Sequence, residues 1–280
     1  MSVKPFIGPS SREPNVSIYF IGGSGLLNLL KPPIEAFQEF VLLSIRAFRN
    51  IFRSPHYADD IFIQMDVIGV GSLFIVSLIG LFSGIVMALQ MARALTQYGA
   101  QGQVGQIVAI TLVRELGPVL TAVLVAGRNA SGIASELGSM KVTEQIDAMR
   151  ALGTDPIQKL VTPRLIALAT VLPLLTIISD FIGLIGGYFI ASTMLGLTFS
   201  EYWTTAWQAL EYNDLFQGLL KPFVFAIVIA LVGCFYGMRT SGGTQGVGRA
   251  TTSAVVSSSV WIFVLTAFIT YVWNRAFVKQ

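Results

Sequence analysis

The chain has 280 residues, of which 54% are hydrophobic and only 12% are charged, and its mean hydropathy is +0.70. Soluble domains carry about 25% charged residues, so this composition excludes a soluble globular protein. The apolar residues lie in long blocks without the ten-residue alternation of an outer-membrane barrel, which indicates a polytopic helical membrane protein. The single cysteine, Cys234, excludes a disulfide framework, and the net charge of +3 is unremarkable.

The N-terminal region divides into a tail and an amphipathic helix. Residues 1–32 contain prolines, glycines and scattered polar residues without the pattern of a signal peptide, so we expect a loosely ordered tail. Residues 33–53 predict an interfacial helix, with arginines opposite an apolar stripe, lying flat on the membrane surface. Packing on the protein's own spans is the alternative. The stripe consists of Ile34, Phe37, Val41, Ile45, Phe48 and Phe52.

Five apolar segments follow and predict five transmembrane helices. They cover about residues 67–90, 104–127, 165–195, 222–238 and 252–273. Pro173 and Asp180 interrupt the third segment. The acidic connection 196–217 contains tyrosine and tryptophan residues, which are typical of a headgroup belt.

A polar, helix-prone segment, residues 136–156, separates the second and third spans. Thr143 resembles an N-cap, and Ile146 and Met149 then fall on one helical face. Gly153 is a typical C-terminal stop, and the proline three residues later forbids continuation. The segment therefore predicts a short amphipathic helix outside the membrane.

The distribution of Lys and Arg predicts the orientation of the chain. With the surface helix, the central segment and the loop 239–249 placed inside, ten basic residues are cytoplasmic and four are external. The positive-inside rule favours this arrangement. We therefore expect a bacterial inner-membrane protein with a cytoplasmic N-terminus and a periplasmic C-terminus.

The sequence contains neither a recognisable set of catalytic residues nor a nucleotide-binding motif. The only histidine is His56, so no span contains a base that could activate a serine, and the carboxylates are too scattered for a metal cluster. The glycine-rich stretches 22–25 and 241–248 lack the phosphate-loop pattern, and the chain contains no Gly-Lys pair. We expect neither an enzyme nor a cofactor in this chain. If ATP drives the protein, a partner subunit hydrolyses it.

Two charged residues inside the second span are candidates for function. Arg114 and Glu115 lie near its middle, where a charge is costly unless it is paired or faces water. Pro118 frees a backbone carbonyl and is expected to bend the helix. By depth alone, Asp180 is the candidate partner of Arg114. A buried ionic staple between helices is the structural alternative.

A stripe of apolar side chains marks the outer end of the first span and recurs every three to four residues. Its members are Met87, Met91, Leu95 and Tyr98. Ordinary helix packing accounts for such a stripe. Together with the ions of the second span it would instead form an amphipathic lipid pocket, because methionines adapt to irregular apolar ligands.

Two blocks of the chain resemble the MlaE/YrbE family of ABC-transporter permeases. They are residues 112–156, LVRELGPVLTAVLVAGRNASGIASELGSMKVTEQIDAMRALGTDP, and residues 242–252, GGTQGVGRATT. The resemblance covers residues 35–275 in outline and identifies residues 54–280 as the permease domain. It implies an all-α membrane protein with an N-terminal interfacial amphipathic helix, five transmembrane helices and a cytoplasmic coupling helix between the second and third spans.

The resemblance also implies partners and site residues. The permease would be a homodimer bound to a cytoplasmic ABC ATPase dimer, which holds the ATP and magnesium, and to an external MCE-domain lipid-binding hexamer; some systems add a STAS-domain protein. Arg114 and Glu115 match the family's charged pair beside the lipid cavity, and Lys221 is a further charge partner. The contacts implied for the ATPase are Glu144, Gln145, Asp147, Met149, Arg150 and Gly153.

The expected function is ATP-driven movement of a phospholipid-like amphiphile between the inner membrane and an external lipid carrier, with no nucleic-acid partner. Two alternatives stay open. One is a secondary transporter that uses Arg114, Glu115 and Asp180 as an ion relay, although the fifth span has no acidic residue to extend it. The other is a passive membrane scaffold for a lipid-binding partner.

Overall fold

The computed structural model describes the backbone of residues 24–55 and 57–277, and the side chains of residues 34–55 and 57–276. These residues form helices joined by short turns, without a strand. The helices are α1 Ser24–Ile51, α2 Ala58–Gln97, α3 Gln101–Val142, α4 Gln145–Ala151, α5 Ile157–Leu195, α6 Phe199–Ala209, α7 Tyr212–Met238 and α8 Gly243–Phe277.

Helices α2, α3, α5, α7 and α8 are long and apolar enough to cross a membrane. The predicted fold class, an all-α protein with five spans and an N-terminal helix, is therefore confirmed, and the chain is a multi-pass membrane protein. The chain divides into two units, Met1–Glu39 and Phe40–Gln280, and the sites described below lie in the second. The first 23 residues of the expected tail lie outside the described residues.

Helix α1 begins at Ser24, nine residues before the start predicted from the apolar stripe. From residue 40 onward it has two apolar sides. On one, Phe40 packs edge-on against Phe235 of α7 with ring centroids 5.5 Å apart, and Ala47 is fully buried. The other side is exposed and carries Ile45 and Phe48, and the exposed Phe52 follows the last residue of the helix. This part of α1 thus packs on the spans, as the alternative reading expected, and keeps an apolar side of the kind that a membrane-surface helix requires.

The spans are longer than the apolar segments seen in the sequence. Helix α2 has 40 residues and α3 has 42. Each is about 60 Å long at 1.5 Å per residue, twice the thickness of a hydrocarbon core. Helical hydrogen bonding continues past the apolar stretch into polar residues such as Glu136, which the sequence had assigned to the central loop. Pro173 and Asp180 likewise do not interrupt α5, which runs unbroken from Ile157 to Leu195.

Glycines bring α2 and α5 into backbone contact. A Cβ atom at Gly84 would overlap the carbonyl group of Gly183, and one at Gly80 would overlap the backbone of Ser179. Between helices in a membrane, lipid competes for apolar surface, so close packing at small residues supplies much of the association energy. The α2–α5 pair is the most extensive helix contact in the described part of the chain, and α3 packs against both of its members.

The connection predicted as a loop at residues 196–217 contains α6 and the start of α7. Each begins with a capping box, in which two side chains and two backbone N–H groups bond reciprocally. In the second box, Glu211 is the N-cap residue. The side chain of Asp214 accepts a hydrogen bond from the backbone N–H group of Glu211 at 3.2 Å. Helix α7 therefore begins at Tyr212, ten residues before the predicted start, and Asp214 lies inside a span helix rather than in an external loop.

We expect Gly84→Ala to destabilise the chain by about 1–3 kcal/mol, because the new methyl group would occupy the space of the Gly183 carbonyl and force α2 and α5 apart. The matched control is Gly132→Ala in α3, where a Cβ atom meets nothing within 4 Å. That change should leave stability unaltered or raise it by about 0.5 kcal/mol. The melting temperature of the full chain in detergent measures both, and equal values for the two variants would contradict the backbone contact.

Candidate functional site

An ion pair links α3 to the first turn of α7. The Nε of Arg114 donates a hydrogen bond to Oδ1 of Asp214 at 2.5 Å, and Nη2 contacts the same oxygen. The Asp214 side chain is 1% exposed, whereas the Arg114 side chain is 37% exposed. The buried carboxylate therefore holds the arginine in place and leaves part of its guanidinium at the surface of the single chain.

A second ion pair lies two helical turns farther along α7. The Nζ of Lys221 donates to Oε1 of Glu115 at 2.7 Å and to the backbone carbonyl of Arg114, also at 2.7 Å. In a regular helix this carbonyl accepts from the N–H group four residues later, but Pro118 has none. The fully buried Lys221 supplies a donor in its place, and Glu115 neutralises the ammonium charge.

The helix α3 departs from α-helical geometry at this point. Leu112–Leu116 form a π-helical turn, in which the N–H group of Gly117 bonds to the carbonyl of Leu112, five residues back. Such turns leave the regular hydrogen-bond ladder of a helix and are frequent at functional sites. The π-turn and Pro118 together place Arg114 and Glu115 where the bonding pattern of the span changes.

Helix α8 contributes the last contact of the cluster. The hydroxyl group of Thr270 donates to Oε1 of Glu115 at 3.1 Å, and nearby Trp273 stacks on Phe216 of α7 with ring centroids 5.6 Å apart. The Glu115 side chain is nevertheless 38% exposed. Below, the charged cluster means the four residues Arg114, Glu115, Asp214 and Lys221. It joins α3 to α7, and Thr270 attaches it to α8.

The predicted pairing of Arg114 with Asp180 is wrong. Asp180 is buried in α5, and its Oδ1 has no hydrogen-bond partner among the described residues. It lies against Gly117, at a position where a Cβ atom would overlap the carboxylate. Depth along a span was the basis of the prediction, but depth does not determine which helix a side chain meets. Arg114 meets α7, and Asp180 meets the glycine three residues farther along α3.

Asp214 is the member of the charged cluster that the sequence reasoning missed. It was counted with the acidic external connection, because the apolar stretch of the fourth span begins only near residue 222. The spacing Glu211-x-x-Asp214 was the available signal, since reciprocal side-chain caps three residues apart mark a helix start. A helix that starts at residue 212 puts Asp214 and Lys221 two turns apart on one face.

The apolar stripe of α2 is divided between a groove and the protein core. Leu95 packs against the core, Tyr98 is exposed where α2 ends, and Met91 is half-buried outside the groove. Met87 lines an open groove of about 360 Å³ between α2 and α3. The groove ends at Leu116, next in sequence to Glu115, which is itself not part of the lining. The other lining residues are Phe82, Ser83, Val86, Gln90 and Leu120.

The turn between α3 and α4 differs from the predicted helix start. Thr143 does not cap α4: it follows the last residue of α3, and its hydroxyl donates to the backbone carbonyl of Ser139 in that helix at 2.8 Å. Glu144 takes a left-handed conformation with φ of 60°, which costs about 1 kcal/mol for a residue with a side chain. The chain then forms two turns of α4 and leaves it at Gly153, where φ is 79°.

Helix α4 has one buried and one exposed side. Ile146 is fully buried, and Met149 packs against the core of this chain, so Met149 is less available to a partner than the sequence suggested. Leu152, which the sequence reasoning did not select, is 84% exposed at the end of α4. The coupling surface denotes Leu152 and its exposed polar neighbours Glu144, Gln145, Asp147 and Arg150.

Ion pairs stiffen the coupling surface. Asp147 accepts from Lys141 of α3 at 2.7 Å and from Arg150 at 3.2 Å. The hydrogen bond from Lys141 is the main reason that the pKa of Asp147 lies below its ordinary value of 3.8. Because the folded pKa is depressed, the stabilising contribution is present at neutral pH and is lost only as the pH falls through that folded pKa.

Hydrogen bonds attach the segment after α4 to the corner between α1 and α2. Asp155 accepts from Asn50 of α1 at 3.2 Å, and Lys159 is ion-paired with Asp60 of α2. Gln158 donates to two backbone carbonyls in the corner itself, at 3.0 and 2.9 Å. The segment that follows α4 is therefore bonded directly to α1, to α2 and to the corner between them.

Five long spans, an ion-paired polar cluster inside them and a short helix on a hydrogen-bonded turn are together the features of a polytopic helical membrane protein. The family model described as Permease MlaE matches residues 61–272. The chain belongs to the MlaE permease family.

Curated relatives agree with this assignment. A probable ABC transporter permease protein of Rickettsia typhi is 42% identical over 82% of this chain and 89% of its own length. The chloroplastic protein TRIGALACTOSYLDIACYLGLYCEROL 1 of Arabidopsis thaliana is 38% identical over 72% of this chain and 57% of its own. The intermembrane phospholipid transport system permease protein MlaE of Haemophilus influenzae is 36% identical over 73% of this chain and 80% of its own.

We expect Lys221→Met to destabilise the chain by about 3 kcal/mol, because it leaves Glu115 without its cation and the Arg114 carbonyl without its added donor. Glu115→Gln should destabilise the chain as well, because the fully buried ammonium group of Lys221 would lose its counter-charge and keep only an amide oxygen as an acceptor. The double variant should cost less than the sum of the two. Melting temperatures in detergent measure all three, and wild-type stability of either single variant would contradict this account.

Proposed function

We propose that this chain is the membrane subunit of an ATP-driven ABC-type transporter that moves a phospholipid-like amphiphile between the bacterial inner membrane and an external lipid-binding subunit. One observation carries the proposal. Arg114 and Glu115 each keep more than a third of the side chain exposed inside an apolar span, while their partners Asp214 and Lys221 are buried. Two adjacent, partly exposed side chains of opposite charge inside a span suit a zwitterionic or anionic headgroup.

The α2–α3 groove suits the acyl part of the same ligand. It is open along its length and mostly apolar, and Met87 gives it an adaptable wall. Leu116 borders the groove and directly follows Glu115, so tails in the groove would extend away from a headgroup at the charged cluster. The name of the Haemophilus relative, a phospholipid transport permease, supports a phospholipid-like substrate.

The coupling surface is the proposed docking site of the partner ATPase. It combines an exposed leucine with charges of both signs on a short helix, a composition suited to the groove of another protein. The chain contains no phosphate loop, so ATP and magnesium would be held by the partner. Closure of the ATPase dimer would push α4, and the attached α1–α2 corner would pass the motion to the spans.

The remaining partners follow from the exposed surfaces and the family. Helix α8 is the least buried of the five spans, which supports a second copy of this chain or lipid along it. Aromatic residues Phe199 and Trp207 are exposed on α6, at the end where the MCE-type hexamer would dock. In this arrangement α4 is cytoplasmic with the N-terminus, the C-terminus is periplasmic, and a STAS-domain protein would act on the ATPase.

An ion-coupled secondary transporter is the second candidate function. It is favoured by Asp180, a buried carboxylate inside a span with an unpartnered oxygen. Transport that depends on a proton gradient, continues without an ATPase and is abolished by Asp180→Asn would support it. Transport that stops with a hydrolysis-deficient ATPase and survives Asp180→Asn excludes it.

Charge reversal at the coupling surface tests the ATPase assignment. We expect the variant Glu144→Lys with Asp147→Lys to lose most copurifying ATPase, at least tenfold, because both acids are exposed and two new positive charges would face the partner. Membrane insertion should be unchanged, since no span is altered. The assay compares the amount of co-expressed ABC ATPase that purifies with each variant.

Arg93→Glu is the matched control, because Arg93 is an exposed charge at the opposite end of α2 from the α1–α2 corner. It should retain the wild-type amount of ATPase. An unaltered amount of ATPase with the double charge reversal would remove the coupling surface from the proposed docking site.

A further inference from the structure

A second π-helical turn interrupts α3 between the charged cluster and α4. It comprises Ala126–Ala130, and its third residue is Arg128. The first π-turn, Leu112–Leu116, has Arg114 at the same position. The two arginines are 14 residues apart, about 21 Å along a helix, so they lie at different levels of the span. Because π-turns are frequent at functional sites, the second turn is a candidate for one as well.

The guanidinium group of Arg128 lies against α2 at a glycine. A Cβ atom at Gly71 would be 2.5 Å from its Nη2 and 3.2 Å from its Cζ, so the missing side chain of Gly71 makes room for the group. Within the described residues this guanidinium forms neither an ion pair nor a hydrogen bond. Arg114, by contrast, is paired with Asp214. An arginine in an apolar span is costly until an anion neutralises it.

A buried hydrogen bond next to Arg128 attaches the π-turn to α2. The Nδ2 of Asn129 donates to the hydroxyl oxygen of Ser72 at 3.3 Å, and both side chains are buried. Asn129 follows Arg128 in sequence and Ser72 follows Gly71, so the two contacts lie side by side. The polar bond sets the position of the turn on α2, whereas the Arg128 side chain itself stays exposed.

The contact between Arg128 and Gly71 lies near one border of the apolar part of α2. Residues 67–92 carry no charge and extend over about 39 Å, so a hydrocarbon core of about 30 Å centred on them begins close to Gly71. An arginine at this level reaches the headgroup phosphates just outside the core. This border is the one nearer α4, because Asp60 at the start of α2 is ion-paired with Lys159, which follows α4.

An exposed apolar row on α2 leads from Gly71 to the α2–α3 groove. The apolar row consists of Phe74, Leu78 and Phe82, which are spaced by four residues and therefore lie on one side of the helix. Phe82 also lines the groove. The distance along α2 from Gly71 to Phe82 is about 16 Å, close to half the thickness of a hydrocarbon core. The row therefore matches the acyl chains of one leaflet.

We propose that Arg128 binds the phosphate of an anionic phospholipid in the leaflet on the α4 side, with the acyl chains along the apolar row. The preference for a net negative headgroup follows from the charges at the two arginines. In the charged cluster, Glu115 lies beside Arg114 and suits the ammonium group of a zwitterionic lipid, whereas no carboxylate of the described residues is paired with Arg128. Binding at Arg128 needs neither ATP nor a partner subunit, so the site is independent of the function proposed above.

Native mass spectrometry of the purified full chain tests the proposal, because it reports the bound lipids and the number of chains in the same spectrum. The chain is exchanged into detergent that contains either dioleoylphosphatidylglycerol or dioleoylphosphatidylcholine, without an ATPase. We expect each wild-type chain to retain about one more phosphatidylglycerol than phosphatidylcholine, since the acyl chains are identical and only the net charge differs. Equal retention of the two lipids would overturn the proposal.

Two substitutions make the test specific to Arg128. Arg128→Gln removes the charge, and Gly71→Ala keeps every charge but places a methyl group where the guanidinium lies. Each variant should retain about tenfold less of the additional phosphatidylglycerol. The matched control is Arg93→Gln, because Arg93 is an exposed arginine at the opposite border of the same uncharged stretch. It should retain the wild-type amount.

Three results of these variants would contradict the site. Unchanged phosphatidylglycerol retention by Arg128→Gln shows that the lipid is held elsewhere. An equal loss in Arg93→Gln shows a general effect of charge rather than a site. A change in the number of associated chains in Arg128→Gln, with unchanged lipid retention, assigns the guanidinium to a contact with a second copy of this chain.

Discussion

The ammonium group of Lys221 makes the two contacts that hold the charged cluster to the π-helical turn in α3: one to the backbone carbonyl of Arg114 and one to the carboxylate of Glu115. Pro118 removes a backbone N–H group from the interior of a span, where an unsatisfied carbonyl costs on the order of several kcal/mol. Lys221 supplies a donor to the carbonyl of Arg114. A buried cation needs a counter-charge in turn, and the adjacent Glu115 provides it. The proline and the ion pair thus form one structural unit.

The same unit explains why charge can be exposed inside the span. Asp214 and Lys221 are buried on one face of α7 and hold Arg114 and Glu115 from behind. Burial removes water from the charges of Asp214 and Lys221, and this desolvation costs free energy. Arg114 and Glu115 are only partly buried, so part of each side chain stays accessible. The proposed ligand would therefore meet two charges whose positions are already set by α7 and, through Thr270, by α8.

The sequence predicted the elements that depend on local pattern and missed those that depend on contacts across the chain. Hydrophobic blocks located all five spans, and the cost of intramembrane charge singled out Arg114 and Glu115. The ends of the helices were misplaced, because helical hydrogen bonding extends into polar sequence such as residues 136–142. Asp180 was predicted to pair with Arg114 because the two lie at similar depth. In the structure Asp180 instead contacts the face of α3 that carries Gly117. The position of Asp214 inside a span helix could be predicted only from the capping box with which α7 begins.

The central claim is that a phospholipid rests at the charged cluster and leaves it when ATP acts on the partner. Photo-crosslinking tests it most directly, with the permease and its ATPase in nanodiscs that contain a headgroup-labelled photoreactive phospholipid. The account predicts crosslinks concentrated near Arg114, Glu115 and Leu116, which decrease on addition of ATP and are reduced in Glu115→Gln. Crosslinks spread evenly over the membrane-facing helices, insensitive both to ATP and to that substitution, would contradict it.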